Sequence, residues 1–369
     1  MSILPIYFIG QCLSLDEHPA FRETIIVQFS DPEYDWNSFI WNCSNHLVLP
    51  AIYLKFKKYD LLIYLPEVLS QHLEEIYKLN RTRNEQILLQ VKAINATLNR
   101  AGISPIYLKG TGNLIDGVYS DTGERIIGDI DFLVAEKDLL KAAESFKKEG
   151  YTQSFPSFAP YNTSKHHHYP RLWRNDVVAD IEIHWSPVNT SNAVHFSTDL
   201  VQKDKKIVTG YPGCFVLSDD HKLILSFIHS QLTNSGHRLG VVSLRDIVDI
   251  YRFSKRTDLT TVLPQIHHQR RAGAYFDIMQ KLLGLPVTGK QTLTSIVFCW
   301  KHDLNLTSPL FSVINRLPWV LTRLLLHGYP DQIKEAFIYK GAKQALITRL
   351  SSKSWYQQHF RLLRKSIIG

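Results

Sequence analysis

Long apolar runs are missing from this 369-residue chain. No stretch reaches the roughly 18 consecutive apolar residues that a spanning helix needs, so no helical membrane span is expected. Cysteine is scarce: Cys12, Cys43, Cys214 and Cys299 stand far apart, without CxxC spacing. Neither a thiolate zinc site nor a disulfide framework follows from that arrangement, and four free thiols in a reducing compartment are expected. There is no internal repeat and no low-complexity tract. The apolar stretch Ile3 to Ile9 has no basic residues ahead of it and no small-residue cleavage site after it, so it does not read as a signal peptide. A cytoplasmic protein with no membrane partner is expected.

What is present is the composition of a globular protein. Hydrophobic residues make up 44% and charged residues 21%, a balance that supports true cores. The length suits two domains, or one with an extended helical part. The formal net charge of +8 favours an anionic ligand. Read as spread along the chain, that surplus does not choose between a nucleotide, a nucleic acid and a membrane surface.

Periodicity divides the chain into three parts. Residues 1–102 read as mainly helical. The clearest helix spans Asn84 to Arg100, where Ile87, Leu88, Val91, Ile94 and Leu98 recur at helical spacing, with Asn95 the one polar residue on that stripe and Gly102 closing it. Two or three further helices are expected between Leu47 and Leu79. Residues 103–218 switch to short strands: Ile106-Tyr107-Leu108, then Arg125 to Val134, separated by a Gly110-Thr111-Gly112 turn and a helix starting at Asn113. A helix follows from Lys137 to Glu149, then a strand at Tyr151 to Phe155. His166 to Trp173 and Val177 to Trp185 read as a hairpin around Arg174-Asn175-Asp176. Residues 188 to about 219 read as loop. Residues 219–369 return to helices, including Leu223 to Leu232 and Val241 to Phe253. The expected class is α+β, a small mixed sheet flanked by helical parts.

The sheet segment holds the chemistry. Asp129 and Asp131 sit in the run Ile126-Ile127-Gly128-Asp129-Ile130-Asp131-Phe132-Leu133-Val134. Strand side chains alternate, so the two carboxylates share one face and Ile130 and Phe132 the other. Adjacent carboxylates in apolar surroundings are costly unless a cation lies between them. Magnesium, a hard ion that favours carboxylates and phosphates, suits that position. Nucleotidyl transfer needs backbone N–H groups for a triphosphate, and carboxylates for two ions that clamp the attacking and leaving oxygens. Gly110 and Thr111 are the candidate phosphate-binding turn. Glu182 is the candidate third carboxylate; Asp180 and His184 share its face, and Asp180 is the runner-up.

These motifs resemble an uncharacterised bacterial nucleotidyltransferase family within the DNA polymerase beta superfamily. The resemblance rests on Leu108-Lys109-Gly110, Arg125, Asp129-Ile130-Asp131 and Ile181-Glu182-Ile183-His184-Trp185. It implies a polymerase-beta-like core. Asp129, Asp131 and Glu182 become the catalytic and metal-binding triad, and Gly110 and Thr111 the phosphate turn, with threonine in place of the usual serine. The implied cofactor is Mg2+, two ions, with Mn2+ as a substitute, and the donor is an NTP such as ATP. Lys109 and Arg125 are candidate phosphate contacts, and His184 a carboxylate-orienting or acceptor contact. The acceptor (small molecule, protein or RNA end) is left open.

Other residues stay open at this stage. His166-His167-His168 reads as a polar strand beside the acceptor pocket, because only two of the three share a face and two histidines make a poor metal site. His221 and His229 share a helix face with Leu225. Arg238, Arg245, Asp246 and Asp249 read as a helical wall of the cleft, or as packing with an Arg245–Asp249 ion pair. Gln269-Arg270-Arg271 and Arg361 to Lys365 read as solvated faces. Two alternatives to an enzyme are an inactive nucleotide-binding scaffold and a nucleic-acid-binding protein. The first is disfavoured because no carboxylate of the triad is missing. The second leaves the two aspartates unexplained.

Overall fold

A computed structural model describes residues 3–154, 166–287 and 291–368. Four helices open the chain: Pro5–Leu13, Phe21–Phe29, Trp36–Asn45 and Leu49–Lys58. The helix expected from Asn84 is twice as long, running Glu67–Arg100. It joins part of the helical stretch expected before Leu79 to the helix expected from Asn84, and two of the inward positions near the junction are asparagines, Asn80 and Asn84. Both amides donate to loop carbonyls: Asn80 to Gly123 at 2.7 Å and Asn84 to Arg125 at 2.8 Å. Asn95 also turns inward and donates to the Pro212 carbonyl at 2.6 Å. The long helix therefore carries a polar ladder that fixes loops.

Seven short strands form one mixed sheet: β1 Ile106–Tyr107, β2 Ile130–Leu133, β3 Thr152–Gln153, β4 Leu172–Trp173, β5 Ile181–His184, β6 Lys206–Ile207 and β7 Phe215–Val216. Their order is β3-β4-β5-β2-β1-β7-β6. β2 runs parallel to β5 and antiparallel to β1. This mixture of helices and sheet fits the expected α+β class. The expected hairpin forms, pairing Leu172 with Ile181, but its connection is longer than Arg174-Asn175-Asp176. The region read as loop after residue 188 contains β6 and β7, and β7 extends the sheet beside β1. Phe155, the end of one expected strand, lies outside the described residues.

Alternation gives the sheet two unlike faces. Ile130, Phe132, Ile181 and Ile183 point to one side and join a buried cluster with Ile87, Val91, Ile94 and Leu98 of the long helix and Phe146 of helix Leu139–Lys148. Each such side chain contributes about 1.5–3 kcal/mol on burial. Asp131, Glu182 and His184 alternate to the other face. A second core joins the N-terminal helices to helices Asp219–Phe227, Leu244–Ser254 and Gln269–Leu282. All four cysteines are buried free thiols. No helix among the described residues is long and apolar enough to cross a membrane.

Candidate active site

The parallel pairing of β2 with β5 sets Asp131 directly beside Glu182, and Leu133 beside His184. Ligand atoms of Asp131, Glu182 and His184 lie within 4.8 Å of one another. Asp129 precedes β2 by one residue. Its position is held from behind by Arg83, which donates to the carbonyls of Ile127, Gly128 (2.9 Å) and Val178 (3.1 Å). Gln90 holds the approach to β5, donating to the Ala179 carbonyl at 2.7 Å and accepting from its N–H at 3.2 Å.

Two cations and one imidazole meet these carboxylates. Lys109 places its ammonium 2.6 Å from Asp131 Oδ1, and His184 Nε2 lies 2.9 Å from the same oxygen and 3.6 Å from Glu182. Arg171 bridges the other two: one guanidinium nitrogen lies 2.9 Å from Asp129 and 2.5 Å from Glu182. Asp180, the runner-up carboxylate, is half-buried, 3.9 Å from Arg171, and accepts from the Ser154 hydroxyl at 3.3 Å. Arg171 is a site residue that sequence reasoning missed. It lies one residue ahead of β4 with no distinctive spacing, and only the hairpin pairing brings it to Glu182.

Charge follows from this packing. Burial, with Asp131 and Glu182 nearby, pushes the Asp129 carboxyl up to about 6. Burial opposes charge on Asp131 as well, but Lys109 and His184 outweigh it and hold that carboxyl well below the usual range. Glu182 is also lowered, against its burial, by His184, Lys109 and Arg171. His184 is raised by Asp131 and Glu182 although it is fully enclosed, and its Nδ1 has no partner.

The glycine segment differs from its expected form. Gly110, Thr111 and Gly112 form the first turn of helix Lys109–Ile115, rather than a turn ahead of a helix at Asn113. Neither glycine has a positive φ. They are required by close approach: a side chain at 110 would strike the Arg125 guanidinium, and one at 112 would meet the Tyr107 carbonyl at 2.5 Å. Thr111 is buried, and its hydroxyl donates to the Asp129 carbonyl at 3.1 Å. Lys109 carries the unusual backbone, with φ +47°, a left-handed conformation costly for a lysine.

Arg125 is buried and makes three hydrogen bonds to Asp249: Nε donates to both carboxylate oxygens at 3.0 Å and Nη2 to one of them at 2.6 Å. This corrects the expected Arg245–Asp249 pair: Arg245 reaches Asp246 instead, at 3.4 Å. The Arg125–Asp249 link ties the sheet loop to helix Leu244–Ser254.

A cavity of about 260 Å³ opens between these parts. Lys109, Gly110, Asp129 and Asp131 form its sheet side, and His229 and Arg245 its helical side. Burial, with Lys109 nearby, pushes the His229 imidazole down to about 4, so it faces the cavity uncharged. His221, grouped with it in sequence, is buried elsewhere against Phe196, 3.9 Å from Asp204. His167 and His168 pack beside His184, with ring centres 5.4 and 5.2 Å away. Gln269, Arg270 and Arg271 are exposed at the start of their helix.

The donor set suits a divalent cation: two carboxylate oxygens and an imidazole nitrogen converge, with a third carboxylate alongside, on a site that already needs two cations to balance it. A family model described as an uncharacterised nucleotidyltransferase matches residues 32–283. No curated protein and no solved structure matches the chain. The family match spans more than half of the sequence and takes in every carboxylate, cation and cavity-lining residue named above, so the chain belongs to the uncharacterised nucleotidyltransferase family.

Proposed function

We propose that the protein moves a nucleoside monophosphate from an NTP to an acceptor hydroxyl and releases pyrophosphate. The observation that carries this reading is the pairing of Asp131 with Glu182 across parallel strands, with Asp129 beside them in the wall of a cavity that also presents Lys109 and Arg245. Carboxylates and cations meeting at one opening match a triphosphate, whose anionic oxygens need both a metal clamp and direct positive charge. The core at 103–218 then serves as a polymerase-beta-like catalytic unit, with 1–102 and 219–369 as its helical flanks.

Each residue takes a part in that reading. Asp129, Asp131 and Glu182 would hold Mg2+, or Mn2+ in its place, with His184 as an adjoining ligand. A metal bound there would draw charge from the phosphates and lower the pKa of the acceptor hydroxyl. Lys109 and Arg245 face the cavity as cations for phosphate oxygens. Arg125, which also lines the cavity, is anchored by Asp249, packs against Gly110 and donates to the Ile126 carbonyl, and Thr111 fixes the Asp129 carbonyl. His229, being neutral, offers a hydrogen bond rather than a charge. The acceptor oxygen forms a bond to the α-phosphorus as the bond from that phosphorus to the α–β bridging oxygen breaks; pyrophosphate leaves with the bridging oxygen and the hydroxyl proton passes to water.

Label position tests the reaction. The protein would be incubated with Mg2+ and NTPs carrying 32P at either the α or the γ position, together with small-molecule, protein and RNA fractions of a cell extract. α-Label should become acceptor-bound and γ-label should appear in pyrophosphate. Transfer of γ-label to the acceptor would replace nucleotidyl transfer by phosphoryl transfer. Equal labelling by wild type and Asp131→Asn would contradict the site.

A further inference from the structure

The chain's positive charge is not spread evenly. Residues 304–369 contain ten Lys and Arg against two Asp and Glu, a surplus equal to the +8 of the entire chain, so the first 303 residues balance. This segment lies beyond the family match, which ends at residue 283. Nine of the ten basic residues are exposed; Arg316 is half-buried.

The same region leaves apolar surface uncovered. On helix Pro309–Arg323, Leu310, Ile314, Leu317 and Leu321 recur at spacings of four and three, one face of a helix, and all four are exposed. On the preceding helix, Leu293–Thr307, exposed Leu293, Ile296, Val297 and Trp300 make a second row. Trp300 meets Phe311 edge-on, next to Leu310, so the rows adjoin. On the separate helix Tyr329–Ile338, Ile333 and Phe337 are also exposed, four residues apart, and Phe337 is 87% exposed. The two adjoining exposed apolar rows mark an interaction site.

We propose that residues 293–368 form a docking surface for an anionic lipid bilayer, which the protein binds peripherally. Charge and apolar character together select that occupant. A second copy would bring an equal positive surplus against the first and be repelled. A nucleic acid would satisfy the charge, but its interfaces are polar, and rows of leucine and isoleucine offer bases no stacking face. An anionic membrane satisfies both: basic residues meet its headgroups while the exposed leucines and Trp300 enter the boundary between headgroups and acyl chains. This revises the expectation of no membrane partner. It concerns lying on a bilayer, not crossing one, and does not depend on the proposed reaction.

Vesicle co-sedimentation of the full-length protein tests this. Vesicles of phosphatidylcholine alone would be compared with vesicles containing one quarter phosphatidylglycerol. The protein should pellet with the anionic vesicles and stay in solution with the neutral ones. Replacing Arg361, Arg364 and Lys365 together by Gln should weaken binding about a hundredfold. Leu310→Ser with Leu317→Ser should leave low-salt binding but remove what persists in 0.5 M NaCl. Both variants would first be checked for an unchanged melting temperature, which their exposure predicts. Failure to pellet with anionic vesicles would overturn the proposal, as would tight RNA binding that prevents pelleting. A concentration-dependent dimer that buries these rows and ignores vesicles would overturn it too.

Discussion

Lys109 holds its ammonium 2.6 Å from the buried Asp131 carboxylate, and does so from a left-handed backbone. The strain at 109 and the charge pair form one arrangement. Lys109→Met should therefore leave Asp131 facing Glu182 with only His184 to offset it. Breaking a buried pair costs about 3–5 kcal/mol, so urea unfolding should show a loss near that size. Lys109→Met combined with Asp131→Asn should lose clearly less than the two single changes together. Strict additivity would mean that the pair is not coupled.

Arg125 and Asp249, whose side chains are 8% and 5% exposed, should behave similarly from a greater distance. Arg125→Met should destabilise by about 3–5 kcal/mol because it strands a carboxylate, and adding Asp249→Leu should recover much of that loss. Chemical denaturation checks both values. A double variant as unstable as Arg125→Met would place the cost in lost packing under Gly110.

Arg171 competes with any divalent ion for Asp129 and Glu182. Arg171→Gln should lower the melting temperature in EDTA and enlarge the rise on adding Mg2+ or Mn2+. A smaller metal-induced rise than in wild type would show that Arg171 assists binding instead.

Acid should weaken the fold through buried histidines. His46 accepts a hydrogen bond from the Leu244 N–H at 3.2 Å, at the start of the helix that carries Asp246 and Asp249. Burial, with His302 nearby, pushes its imidazole down to about 4. The folded pKa lies below the unfolded value near 6.5, so the unfolded chain binds the extra proton first. The stabilisation is complete above about pH 6.5 and declines as the pH falls toward 4. His46→Gln should flatten that part of the stability curve, measured by denaturant midpoints at a series of pH values. An unchanged slope would remove His46 from the acid response.

Much of the site was legible because strand alternation is simple. Asp131, Glu182 and His184 share a face as their spacing requires, with Ile130, Phe132, Ile181 and Ile183 opposite. Long-range pairing was not legible. Arg171 is brought to Glu182 by a hairpin, and Arg125 finds Asp249 across 124 residues, whereas helix spacing had favoured Arg245. β6 and β7 are two residues each, too short for a period to register. Asn80 and Asn84 of the long helix follow helical spacing but look polar, which hid that the helical stretch before Leu79 continues unbroken into the helix from Asn84. The glycines of 110–112 were visible as residues, but the close approach of Arg125 and the Tyr107 carbonyl was not.

The most direct test of the central claim is thermal stability of wild type and Asp131→Asn with ATP, GTP, CTP or UTP, in Mg2+ or in EDTA. Binding to the folded state raises the midpoint by mass action, so the acceptor need not be known. The account predicts a rise for at least one triphosphate that requires Mg2+ and disappears in Asp131→Asn. A rise that persists in EDTA, or that the variant retains in full, would contradict a metal–triphosphate site at these carboxylates.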